Sequence, residues 1–148
     1  MSFESLGLAP ALLSALRDEG FDTPTSVQAA AIPQALARRD LMVSSQTGSG
    51  KTAAFMLPAL DALSRNPPQG GHGVQVLVLA PTRELAMQVA EATSGYGRHL
   101  PGLRVATVVG GMPYGAQIKA LGRRVDVLVA TPGRLIDHLQ AKRVNLST

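Results

Sequence analysis

Cysteine and tryptophan are absent from the 148 residues, and only three phenylalanines and two tyrosines are present. Without cysteine there can be no disulfides and no thiolate metal sites. So few aromatic rings argue against a surface that holds single strands mainly by stacking bases. The first residues carry no basic stretch followed by an apolar one, and no apolar run approaches the length of a bilayer. A soluble, cytoplasmic protein is therefore expected. The three histidines, His72, His99 and His138, stand far apart with no metal-ligand spacing.

What is present suits a folded domain. Hydrophobic residues make up 45% and charged residues 16%, far from the composition that keeps chains disordered. The length supports one domain with a real core and not two of ordinary size. Net charge is +4, and eleven of the 14 basic residues are arginine. The planar fork of arginine suits phosphate, so the balance permits a nucleic-acid partner. A genome-wide bias toward alanine and arginine would produce the same excess.

Helix and strand signals alternate. The spacing predicts helices over 10–19, 25–38, 51–63, 83–96, 116–121 and 133–141, with Pro33 as a kink in the second. Strands are expected at 41–43, 74–79, 104–109 and 125–129, the second of them covered on both faces. The stretch 66–73, with two prolines and three glycines, reads as a surface loop. This alternation implies an α/β fold, a parallel sheet with helices on both faces.

Directly after the first predicted strand comes Ser45-Gln46-Thr47-Gly48-Ser49-Gly50-Lys51-Thr52. Strand, glycine-rich turn, Lys-Thr and helix form the arrangement of a phosphate-binding loop. Backbone N–H groups curl around phosphates, Lys51 reaches the β and γ groups, and the Thr52 hydroxyl can ligate Mg2+. The strict pattern asks for glycine where Ser45 stands.

Further segments sharpen the resemblance. Gly20-Phe21-Asp22-Thr23-Pro24-Thr25-Ser26-Val27-Gln28 precedes the loop, with Phe3 seventeen residues before Gly20, while Pro81-Thr82-Arg83-Glu84-Leu85-Ala86, Gly110-Gly111 and Thr131-Pro132-Gly133-Arg134 follow it. In this order they resemble the motifs of the DEAD-box ATP-dependent RNA helicases, with an opening similar to the bacterial RhlE-type subgroup. The resemblance implies a RecA-like P-loop fold spanning 1–148 as part of the first helicase domain, with an adenine-recognition (Q motif) region at 1–40.

It also implies roles. The Gln28 amide, offering a donor and an acceptor, pairs with the adenine edge of ATP, and Phe21 packs near the base. Thr25 supports the phosphate loop or caps a helix, two compatible roles. Phe3 either braces the motif or is simply core. Pro81, Thr82, Arg83, Gly110, Gly111, Thr131, Pro132, Gly133 and Arg134 line an RNA track that grips the backbone without reading sequence. Arg83 and Glu84 stay open between RNA contact and an internal ion pair. Arg123-Arg124 and Lys142-Arg143 read as solvated charges.

In the family, Asp-Glu-Ala-Asp on the following strand holds the metal and orients water, and that strand is expected to begin near Thr148. The expectation is thus a fragment that binds nucleotide weakly and neither hydrolyses ATP nor unwinds RNA. A P-loop NTPase of another class and a non-catalytic RNA-binding module are the alternatives. In the family layout, strands beyond Thr148 separate strand 41–44 from strand 74–79. Repacking, an exchange of residues 1–63 between chains, or self-association through the exposed edges is expected to close that gap.

Overall fold

A computed structural model describes residues 2–44, 50–66 and 73–146. Two compact units partition the chain. One comprises Met1–Pro67 with Gly95–Pro101, the other Pro68–Ser94 with Gly102–Thr148.

The first unit is helical. Helix α1 is Pro10–Asp18, α2 is Ser26–Leu36 and α3 is Lys51–Arg65. Proline at the first position of α1 costs no hydrogen bond, because that N–H has no helical partner. Helix α2 begins with a capping box and runs on through Pro33. It packs against α3, as does α1. Leu12, Leu16, Ile32, Met56, Leu57 and Leu60 are fully or almost fully buried.

One buried carboxylate ties the N-terminal segment down. Asp61 on α3, 3% exposed, accepts from the Ala9 N–H at 2.8 Å and from Arg65 Nε at 2.8 Å. Arg65 Nη2 in turn donates to the Gly7 carbonyl at 2.7 Å. Phe3 is buried, so it is a core residue of this unit.

The second unit is built on a parallel sheet. Strands β1 (Val76–Leu79), β2 (Val105–Val108) and β3 (Val127–Ala130) are arranged in the order β1-β3-β2. Central β3, with a strand on each side, is buried along its whole length. Its core includes Val108, Val125, Leu128, Ala130 and Leu135. Helices α4 (Arg83–Tyr96), α5 (Tyr114–Leu121) and α6 (Pro132–Gln140) follow the three strands in turn.

Two expectations are corrected. Residues 41–44 form no strand: they are exposed, and Met42 entirely so. A strand needs a neighbour to take up its N–H and C=O groups, and other segments supply all three strands of the described sheet. Nor is β1 covered on both faces, because its side chains alternate between half-buried and exposed and leave Leu77 and Leu79 open. As the outer strand of the order, it has one neighbour among the described residues.

Candidate functional site

Residues 25–28 and the start of α3 meet within the first unit. Thr25 caps α2: its backbone N–H donates to Gln28 Oε1 at 2.9 Å, and the Gln28 N–H donates to Thr25 Oγ1 at 3.4 Å. This reciprocal pair satisfies two donors that a helix start leaves open. The other end of the Gln28 amide, Nε2, donates to the Gly50 carbonyl at 3.2 Å. Gln28 is 5% exposed, so its amide orientation is fixed from both ends.

Gly50 is the N-cap of α3 and stands at φ 87°, ψ 24°, in the left-handed region. A β-carbon there would collide with Gln28 Nε2 and come within 3.2 Å of Thr25 Oγ1. Both the dihedral and the close approach require glycine. Lys51 and Thr52 follow in the first turn of α3, Lys51 exposed and Thr52 half-buried. Ser45, Gln46, Thr47, Gly48 and Ser49 lie outside the described residues. Phe21 is partly exposed, and its ring centroid lies 6.2 Å from that of Tyr96.

Thr52 would offer a metal one neutral hydroxyl oxygen. That donor suits Mg2+, a hard cation that keeps waters and takes much of its shell from phosphate oxygens. Among the described residues no group of three or more His, Asp or Glu could hold a metal. Asp18 and Glu19 are engaged elsewhere. His99 Nε2 lies 2.6 Å from Asp18 Oδ2, and Arg98 pairs with Glu19. The hydrogen bond from His99 holds the Asp18 carboxyl below its ordinary value.

In the second unit the remaining motifs converge. The strands are parallel, and Leu79, Ala130 and Val108 share one register position at their carboxyl ends. Pro81-Thr82-Arg83, Thr131 to Arg134 and Gly110-Gly111 therefore all leave the sheet at the same edge. The turn after β2 is where they meet. The Gly110 N–H donates to Thr131 Oγ1 at 3.3 Å, and Arg134 Nη1 donates to the Met112 carbonyl at 2.8 Å.

Gly111 has φ 79°, and a β-carbon there would lie 2.8 Å from Arg83 Nη1. Arg83 also pairs with Glu84 at 3.6 Å, with both side chains well exposed. Pro81, Thr82, Pro132 and Gly133 are exposed as well. The carboxyl ends of parallel strands, with two helix N-termini beside them, concentrate backbone N–H donors suited to anions.

Three residues around Arg134 carry no role in the motifs. Tyr114, Gln117 and His138 form a polar cluster with it. Arg134 lies over the Tyr114 ring, its Cζ 3.9 Å from the centroid. Gln117 Oε1 takes a bond from Arg134 Nη1 at 3.2 Å and sits 3.0 Å from Nε2 of the fully buried His138. Burial, followed by the Arg143 and Arg134 charges, holds the His138 imidazole below its ordinary value. The spacing of His138, four residues after Arg134 and so on the same helix face, was the one signal of this link in the sequence.

The DEAD/DEAH box helicase family profile matches residues 25–148. The chain is 46% identical over 146 residues to the ATP-dependent RNA helicase DeaD of Escherichia coli K12, covering 99% of this chain and 23% of that protein. It is also 46% identical over 149 residues to DeaD of Mycobacterium tuberculosis CDC 1551, covering 99% and 25%. A crystal structure of a DEAD box protein from the hyperthermophile Methanococcus jannaschii superposes with a TM-score of 0.86 at 37% identity, covering 99% of this chain and 39% of that one.

The chain thus spans about a quarter of the length of the curated relatives it matches. Their name, DeaD, supports the family-level resemblance and does not extend to the RhlE-type subgroup. No described helix is long and apolar enough to cross a membrane. With the family profile covering most of its length, this chain belongs to the DEAD/DEAH box helicases.

Proposed function

We propose that the chain is the front part of the first RecA-like domain of an ATP-dependent RNA helicase. It binds adenine nucleotide through residues 1–52 and the RNA backbone through the turns that follow the three strands. The observation that carries this reading is the bond from Gln28 Nε2 to the Gly50 carbonyl, which joins the adenine motif to the helix bearing Lys51 and Thr52. The amide has spent one donor and one acceptor. One of each remains, the pair that an adenine edge takes.

In this reading the α3 N-terminus and the Lys51 ammonium hold the phosphates. Thr52 would lend its hydroxyl to Mg2+, which when bound would supply charge neutralisation at the phosphates. Arg83, Arg134 and the N–H groups near Gly110 and Thr131 hold RNA phosphates without reading bases. Hydrolysis is not expected of these residues alone, because among the described residues Asp18 and Glu19 are engaged with His99 and Arg98 and no group of three or more His, Asp or Glu could hold a metal. The proposed Q motif region is 1–40.

The test is equilibrium binding of Mg-ADP together with ATP turnover, with and without RNA. Weak binding that falls about tenfold or more in Lys51→Ala, and no turnover, are expected. RNA-stimulated turnover by the 148 residues, lost in Lys51→Ala, would overturn the inactive-fragment reading. Self-association through the outer edge of β1 is part of the proposal, supported by the exposed Leu77 and Leu79. Light scattering that finds only monomer across a hundredfold concentration range removes it.

A further inference from the structure

Arg134 is held by more than its own helix. Its Nη1 has two hydrogens, and the structure uses both, one on the Met112 carbonyl at 2.8 Å and one on Gln117 Oε1 at 3.2 Å. A guanidinium has five N–H donors, so three remain, and two of them, from Nε and Nη2, lie side by side on one edge. That edge is the planar fork that takes phosphate bidentately. The Tyr114 ring supports the guanidinium plane, with Cζ 3.9 Å from its centroid. Tyr114 is itself steadied by its hydroxyl, which donates to Asp137 Oδ2 at 2.7 Å.

The acceptor that fixes Arg134 is in turn fixed by two further groups. Gln117 Nε2 donates to the Val109 carbonyl at 2.9 Å, which commits Oε1 to the acceptor role. His138 Nε2, 3.0 Å from that Oε1, must then carry the proton. The opposite nitrogen, Nδ1, faces Arg143 Nη1 at 3.4 Å as a lone pair. Oε1 has two lone pairs, and Arg134 and His138 fill both. Gln117 and His138 are buried, so the bond between them does not compete with solvent.

We propose that Gln117 and His138 are positioning residues: together they lock the Arg134 guanidinium so that its Nε–Nη2 edge is presented to an RNA phosphate. This rests on the reading of Arg134 as an RNA contact. The locking itself can be observed without RNA. In the folded chain, NMR of Arg134 should show slow rotation about the Nε–Cζ bond, with separated Nη hydrogens. His138→Phe keeps a ring but removes the donor to Gln117, and should free that rotation, whereas His138→Gln, which restores a donor, should retain it.

Binding of an oligouridylate at several salt concentrations gives the second readout. Arg134→Ala should lower the salt slope by about 0.7, the share of one phosphate on a single strand. His138→Phe should lose affinity by about threefold or more at constant salt, with wild-type affinity regained in His138→Gln. Should His138→Phe fail to fold, Gln117→Glu serves in its place. Its carboxylate neutralises Arg134 and should reduce the slope as Arg134→Ala does.

Free guanidinium rotation in the wild-type chain overturns the positioning, whatever RNA does. So does wild-type RNA affinity in folded His138→Phe or Gln117→Glu when Arg134→Ala has lost it. A normal lock with RNA binding indifferent to Arg134→Ala, or with no binding at all, instead overturns the RNA reading on which the proposal's function depends.

Discussion

Gln28 Nε2 donates to the carbonyl oxygen of Gly50 across 22 residues of sequence, at 3.2 Å. The same side chain closes the capping box of α2. One amide therefore serves both the start of α2 and the start of the helix that carries Lys51 and Thr52. Any change at Gly50 must be felt at Gln28.

Gly50→Ala should show this coupling. The left-handed backbone penalises a β-carbon by about 1–2 kcal/mol, and the new methyl would also displace the Gln28 amide. Urea melts should show a loss of at least that size, with Mg-ADP affinity falling in parallel. A variant as stable as wild type would mean that the α3 N-cap does not hold this geometry.

Asp61→Ala tests the anchor of the N-terminal segment. It strands the Ala9 N–H and removes the Asp61 carboxylate that holds the Arg65 side chain. A buried donor left without a partner costs about 1–3 kcal/mol. Denaturant unfolding should register a loss in that range. Loss of less than about 0.5 kcal/mol would show that water reaches the Ala9 N–H and replaces the carboxylate.

His138 sets a pH dependence whose sign follows from its environment. Its folded value lies below the ordinary histidine value near 6.5, with burial as the first cause and the Arg143 and Arg134 charges next. Asp137 acts in the opposite direction. Below that ordinary value the unfolded chain takes up the proton first, so stability falls with falling pH until the folded value is passed. Above it the contribution is fully present. Melts between about pH 7.5 and 5 should therefore decline more steeply for wild type than for His138→Gln. Equal slopes would contradict a buried neutral imidazole.

Much of this was legible in the sequence, for identifiable reasons. Thr25 and Gln28 stand three apart before an apolar run, so a capping box could be read from spacing. Alternating elements placed Pro81, Gly110 and Thr131 just after predicted strands, and a parallel sheet then brings strand ends to one edge. The expected strand at 41–43 was misread because its apolar residues report strand propensity, whereas a strand also needs a neighbour. Leu77 and Leu79 are exposed for a related reason: β-branched and aliphatic runs record what could be covered, not what covers it. The role of His138 depends on Gln117, whose amide is oriented by the Val109 carbonyl, a tertiary fact that no local spacing encodes.

Titration calorimetry with ADP and GDP tests the adenine role of Gln28. A site whose remaining donor and acceptor match adenine leaves buried groups unpaired against guanine. ADP should bind at least about tenfold more tightly than GDP, and Gln28→Ala should erase the difference. Equal affinities for the two nucleotides, or a preference for ADP that survives Gln28→Ala, would contradict it.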